Sequence, residues 1–220
     1  MNAMTTYDAR WFSSQAATWD DDPRRVERAR QAAEAIAAEV PLDPSWTVLD
    51  YGAGTGLLAF ALADKVGDIV LMDSSEGMVA TARQRIEKCG RGRMRAEVRD
   101  LTREPLPPGR QFDLVISMMV LHHVDDVPQL LGRLFDATAD GAWIAALDLE
   151  PEQGEYHDPG FTGHDGFSRG TLRRAMASAG FGHLHVRKVL EVEKPVDGES
   201  RKFGVFLATA RKEAAKSVAV

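Results

Sequence analysis

Val48-Leu49-Asp50-Tyr51-Gly52-Ala53-Gly54-Thr55-Gly56 is a short apolar run that ends in closely spaced glycines. The run reads as a buried strand, and Gly56 to Val66 after it as a helix. Glycines at such a junction permit a tight turn and let a ligand lie against bare backbone. The helix that follows offers unpaired N–H groups and the positive end of its dipole. Asp73 ends the next apolar run, 21 residues after Gly52. A carboxylate at that remove can accept both hydroxyls of a ribose. Turn and carboxylate together point to a nucleoside-containing ligand. The spacing is G-x-G-x-G, with Leu57 where the dinucleotide fingerprint wants a third glycine, and there is no phosphate-loop motif. Asp50, just before the turn, suits a cationic group better than a pyrophosphate, although it would also serve to hold the turn.

Outward from this stretch the chain alternates. Asp68 to Asp73, Arg93 to Arg99, Phe112 to Ser117 and Gly141 to Leu147 read as strands. Arg24 to Glu39, Glu76 to Lys88, Val127 to Thr138 and Ser168 to Ala179 read as helices. Asp22-Pro23 and Ser168 are cap signals, and Gly90 and Gly180 are stops. Alternation of this kind predicts a mainly parallel sheet covered on both faces. His183 to Val192 and Lys202 to Ala210 are separated only by Glu193 to Arg201, too short for a helical crossover, so they should pair antiparallel. The expected fold is an α/β, Rossmann-like doubly wound sheet of seven strands, the last antiparallel. One domain should span 1–220: an N-terminal lid and helix at 1–40, a cofactor-binding core at 46–148, a substrate-side loop at 149–167, and a helix with the terminal hairpin at 168–210. The tail from Arg211 is expected to fray.

Composition narrows the function classes. With 27 Lys+Arg against 33 Asp+Glu, the net charge of -6 argues against a nucleic-acid partner. No apolar run approaches the roughly 20 residues that span a bilayer, so no membrane partner is expected. The single cysteine, Cys89, excludes an internal disulfide or a thiolate metal cluster. The start leads into charged residues rather than an apolar signal core. The simplest expectation is a cytoplasmic protein; nothing in the sequence speaks to oligomeric state.

The glycine turn resembles that of class I S-adenosylmethionine-dependent methyltransferases, and the likeness continues. Leu71-Met72-Asp73-Ser74-Ser75-Glu76-Gly77-Met78 resembles that family's second motif, Arg99-Asp100-Leu101 its adenine-edge motif, and Phe112 to Ser117 with Leu121-His122-His123-Val124 its fourth. The match is nearest to small-molecule enzymes of the ubiquinone and menaquinone type. The resemblance implies S-adenosylmethionine as cofactor. It implies contacts from Asp50, Gly52, Ala53, Gly54, Asp73 (ribose), Ser74, Met78 (adenine), Asp100 (exocyclic amine), Leu101 (backbone), Ser117 and Met118. The aromatic segment at 7–22 resembles the family's lid, a permanently docked belt being the alternative; Trp19 rather than Trp11 is the expected contact residue, because it lies nearer in the chain to the helix that follows.

Methyl transfer from a sulfonium is an in-line displacement in which the protein mainly orients the partners. If the acceptor must lose a proton, His123 and His122 are the candidate catalytic residues; the alternative is that they bond to backbone at a helix start. Members of the resembled family that methylate bases or glutamine carry an Asn/Asp-Pro-Pro turn after the fourth strand; Ser117-Met118-Met119-Val120 stands there instead, so the resemblance implies a small-molecule acceptor with an O, N or C nucleophile. The polar loop from Asp148 to Phe167 is a candidate specificity element. Its histidines and carboxylates match no ligand spacing, so no metal is expected. Two other classes stay open: an NAD(P)-dependent oxidoreductase and a non-catalytic S-adenosylmethionine-binding module.

Overall fold

The computed structural model describes residues 8–214; residues 1–7, including Tyr7 of the expected lid, and 215–220 lie outside them. Helix α1 (Ala9–Gln15) runs into a 3-10 segment (Ala16–Asp21) and then into α2 (Pro23–Glu39). Asp22 caps α2 by accepting the Arg24 N–H at 3.0 Å, with Pro23 in the first turn; such a cap is worth about 1 kcal/mol. The rest of the chain is β1 (Val48–Tyr51), α3 (Leu57–Leu62), β2 (Ile69–Asp73), α4 (Glu76–Lys88), β3 (Met94–Val98), β4 (Phe112–Met118), α5 (Val127–Ala137), β5 (Thr138–Leu149), α6 (Arg169–Ser178), β6 (Phe181–Val196) and β7 (Glu199–Lys212).

These strands form one seven-stranded sheet in the order β3-β2-β1-β4-β5-β7-β6. β1 to β5 pair parallel, and β7 runs antiparallel to both β5 and β6, with Ala146 opposite Ala208. The strand order reverses between β1 and β4, so a crevice opens beyond their carboxyl ends. Successive residues of each central strand enter opposite cores. Val48, Leu71, Leu114 and Ile116 pack with Ile36, Leu58 and Val79 of α2, α3 and α4. Leu49, Val70 and Val115 pack with Leu130, Leu134 and Met176 of α5 and α6. On α2 the inward residues are Ala29, Ala32, Ala33 and Ile36, mostly small, which lets that helix lie close to the sheet. Its last residue, Glu39, accepts from His185, Arg187 and Thr209 of the terminal strands.

Three expectations about boundaries need correction. α3 stops at Leu62, and the chain then brings Gly67 against the segment that leads into β1: Gly67 N–H bonds the Trp46 carbonyl at 2.9 Å, and a Cβ on Gly67 would lie 2.6 Å from it. The expected loop Glu193 to Arg201 is instead strand, with Glu193 opposite Lys202 and Pro195 opposite Ser200. β6 is a sheet edge, where proline loses no ladder bond on its open side, and Asp197-Gly198 closes the hairpin with φ of 51° and 83°, the pairing of a type I′ turn. At the tail, Arg211 and Lys212 belong to β7, and Arg211 donates to the Gly141 carbonyl at 2.7 Å.

Candidate active site

The turn after β1 is built by backbone. Gly52 and Ala53 N–H both bond the Met72 carbonyl at the end of β2. Gly52 has φ 69°, and a Cβ there would lie 2.3 Å from a Val120 methyl, so glycine is required on both counts. Gly54 donates its N–H to Asp73 Oδ2 at 2.8 Å, and the Ser75 N–H reaches Asp73 Oδ1 at 2.8 Å. One carboxylate thus ties the β1 turn to the start of α4 and still has free lone pairs.

Above this turn lies a cleft of about 690 Å³, lined by Asp50, Gly52, Ala53, Gly54, Asp73, Ser74, Met78, Asp100 and Met118 among others. Two sequence candidates are not brought to it. Leu101 is buried in the core, and its carbonyl accepts from Arg133; Ser117 faces inward from β4, its Oγ without a hydrogen-bond partner. Asp100 lines the cleft but already accepts the N–H and hydroxyl of Thr102 and pairs with Arg103. Asp50 is 2% exposed, with Oδ2 unpartnered. Burial, helped by the nearby charge of Asp73, pushes its carboxyl up to about 7. Burial raises Asp73 as well, opposed by its backbone N–H partners. An orphaned acid in a glycine-floored cleft fits a ligand that brings a cation and hydroxyls, as S-adenosylmethionine does.

The turn after β4 closes the far side. Met119 sits at φ 60°, an uncommon conformation for a residue with a side chain, held by its N–H on the Leu147 carbonyl at 2.8 Å. It precedes a 3-10 turn, Leu121–His123. His122 is buried, and its Nδ1 lies 2.5 Å from Asp148 Oδ1, itself buried in β5. Burial, with His122 and His157 beside it, pushes the His123 imidazole down to about 2, which favours its neutral form.

A second chamber of similar size meets the first at Met119 and His123. Trp11, Phe12, Trp19, Arg24, Arg28, Tyr156 and Lys194 are in its wall. Arg28 donates to the Tyr156 hydroxyl at 3.3 Å. The expected substrate loop is seated on the 3-10 turn: His164 N–H bonds the His122 carbonyl at 2.8 Å, and a Cβ on Gly163 would lie 2.2 Å from that oxygen. This docking brings His157 to His122 and His123, three ligand atoms within 4.8 Å of one another. Linear spacing gave no sign of it, because a folded loop separates His157 from the pair.

Residues 8–22 lie across both chambers. Ser13 Oγ bonds Ser75 Oγ at 2.8 Å and accepts the Gly77 N–H at 3.1 Å. Asp20 accepts from Thr55 Oγ1 and pairs with Arg85. Trp19 carries Arg25 on its face at 3.7 Å and lines both chambers, whereas Trp11 lines the second.

Comparison with known proteins agrees with this geometry. A family model described as a methyltransferase domain matches residues 23–186. A ubiquinone biosynthesis O-methyltransferase of Bradyrhizobium sp. (strain ORS 278) is 32% identical over 153 residues, 63% of this chain and 59% of the relative. A trans-aconitate 2-methyltransferase of Variovorax paradoxus (strain S110) is 36% identical over 121 residues, 54% of this chain and 44% of the relative. The chain therefore spans less than two thirds of either relative. A solved SAM-dependent methyltransferase from Aquifex aeolicus superposes with a TM-score of 0.64 at 23% identity, covering 92% of this chain and 98% of the other; that likeness concerns the fold. Among the described residues no helix is long and apolar enough to cross a membrane.

Proposed function

The chain belongs to the class I S-adenosylmethionine-dependent methyltransferase family, and from that premise we propose that it methylates a small-molecule acceptor held in the second chamber. The observation that carries the proposal is Asp73. Its carboxylate crowns β2 over the Gly54 N–H, inside a cleft of about 690 Å³ that meets the second chamber at His123. When bound, S-adenosylmethionine supplies an activated methyl group. The chain's own part is to hold and orient. Asp73 takes the ribose hydroxyls, the Gly52–Gly54 backbone borders the cofactor's chain, and Asp50 faces its cationic end. Met78 and Met118 supply apolar walls, and Asp100 lies at the nucleobase end. Trp19 and Phe12 cover the junction and exclude water.

The second chamber favours a planar organic acceptor. Trp11, Phe12, Trp19 and Tyr156 offer ring faces, and Arg24 and Arg28 suit an anionic substituent. An oxygen nucleophile is the first to test, since one relative's name specifies O-methylation. The family membership removes the basis for an NAD(P)-dependent oxidoreductase.

Calorimetry with S-adenosylmethionine, S-adenosylhomocysteine and NADH, followed by turnover on a panel of phenols, carboxylic acids and amines, tests the reading. Binding of the first two and methylation of a panel member are expected. Tighter binding of NADH would overturn the cofactor assignment. Cofactor binding without turnover on any acceptor class would instead favour a non-catalytic binding module.

A further inference from the structure

We propose that His122, His123 and His157 form a site for a divalent first-row transition-metal ion, with Zn²⁺ the fitting occupant. The three rings converge from two segments: the 3-10 turn after β4 and the loop after β5. Their centroids lie 4.1, 5.1 and 5.2 Å apart, and one potential ligand nitrogen from each falls within 4.8 Å of the others. A tetrahedral zinc with bonds of about 2.0–2.1 Å brings its nitrogens to roughly 3.3 Å apart, so small ring rotations close the set.

The surroundings are those of a metal ligand set. Asp148 Oδ1 lies 2.5 Å from His122 Nδ1; a carboxylate there accepts from the Nδ1–H tautomer, which leaves the Nε2 lone pair for an ion. A carboxylate behind a ligating imidazole fixes its tautomer and strengthens its donation. Asp148 is itself held by the Leu149 and His122 N–H groups. Phe161 stacks on His157 at 3.8 Å and packs edge-on to His123. The loop is pinned by His164, through its N–H to the His122 carbonyl and its Nε2 at the Val124 carbonyl. Three neutral imidazoles suit zinc, cobalt, nickel or copper and not magnesium or calcium, which want oxygen. All three rings line the second chamber, so the fourth position opens onto it. Use of that position by an acceptor heteroatom rests on the methyl-transfer reading; the site itself does not.

The test starts from the full chain stripped of metal and titrated with CoCl₂ by visible absorption and with ZnCl₂ by calorimetry. One equivalent of cobalt should give the intense d–d bands of a low-coordinate nitrogen site, and zinc should displace it. His157→Gln should weaken zinc binding at least about hundredfold, and Asp148→Asn by about 10–100-fold. In the unaltered chain, zinc should shield the half-buried His123 and His157 from diethylpyrocarbonate while leaving the exposed His183 and His185 reactive, read by mass spectrometry. This pattern decides the matter if a variant does not fold. Absence of stoichiometric binding, unchanged affinity in folded His157→Gln, or absence of shielding would overturn the proposal. S-adenosylhomocysteine affinity measured on the same samples keeps the two readings apart: its loss sinks the methyltransferase assignment, and its retention without metal binding sinks only this site.

Discussion

The two chambers that meet at Met119 and His123 are made by different means. The first is largely a product of backbone: strand ends and a glycine turn, with the carboxylates of Asp50, Asp73 and Asp100 set at those strand ends. The second is a product of side chains gathered from α1, α2, the β4 turn, the β5–α6 loop and the end of β6. A backbone site is set by topology and tolerates little change. A side-chain site depends on how distant segments dock, and can be re-lined without touching the fold.

The largest effect should come from breaking the backbone side. Gly52→Val forces a β-branched residue to φ 69° and into Val120. It should cost about 1–3 kcal/mol of stability from strain, read by urea denaturation, and abolish measurable cofactor binding. A well-folded variant that binds normally would show that the turn is not the cofactor's floor.

Asp73→Ala comes next. It removes a charged acceptor, where each such bond is worth about 1.5–3 kcal/mol, so cofactor affinity should fall at least about tenfold by calorimetry. Equal affinity in a folded variant would reject the ribose contact.

Asp50 sharpens the contrast through pH. Its folded pKa, about 7, lies above its unfolded value, so the folded state holds the proton more tightly. Its contribution to stability is full below about pH 4 and is lost as pH rises through 7. Asp50→Asn should flatten that dependence and raise the melting temperature of the ligand-free protein at pH 8. It should also weaken S-adenosylmethionine binding several-fold. In the unaltered protein that affinity should rise from pH 6 to pH 8, because the cation binds the carboxylate form. A pH-independent affinity would remove Asp50 from the cationic end.

The smallest effects belong to the cover. Trp19→Ala should cost cofactor affinity a few-fold, and residues 8–22 should exchange amide hydrogens more slowly once S-adenosylhomocysteine is added. Equal protection with and without ligand would make the segment a fixed belt, tied down by Ser13 and Asp20.

How much of this the sequence disclosed follows the same division. β1, β2, β4 and α4 were legible because each announces itself locally, by an apolar run or, for α4, by the Gly90 stop. The glycine turn and Asp73 were legible for the same reason. The long hairpin was under-read because Pro195 looked like a strand breaker, although an edge position accommodates it. The histidine cluster was illegible: His157 lies 34 residues beyond His123, joined to it only when the loop seats on the His122 carbonyl. Asp148, read as the first residue of the polar loop, belongs to β5, and no spacing rule links it to His122.

The position of β7 has a consequence for how the molecule is made. It is the last strand in sequence, yet it lies between β5 and β6. As the chain emerges during synthesis, β5 therefore offers an unpaired edge, and the core beneath Phe206 and Leu207 stays open, until about residue 212 has been added. Glu39 waits equally long for its partners on the terminal strands. Everything up to α6 can collapse, but the sheet cannot close, so a nascent chain stalled before β7 should be the form most prone to edge-to-edge aggregation.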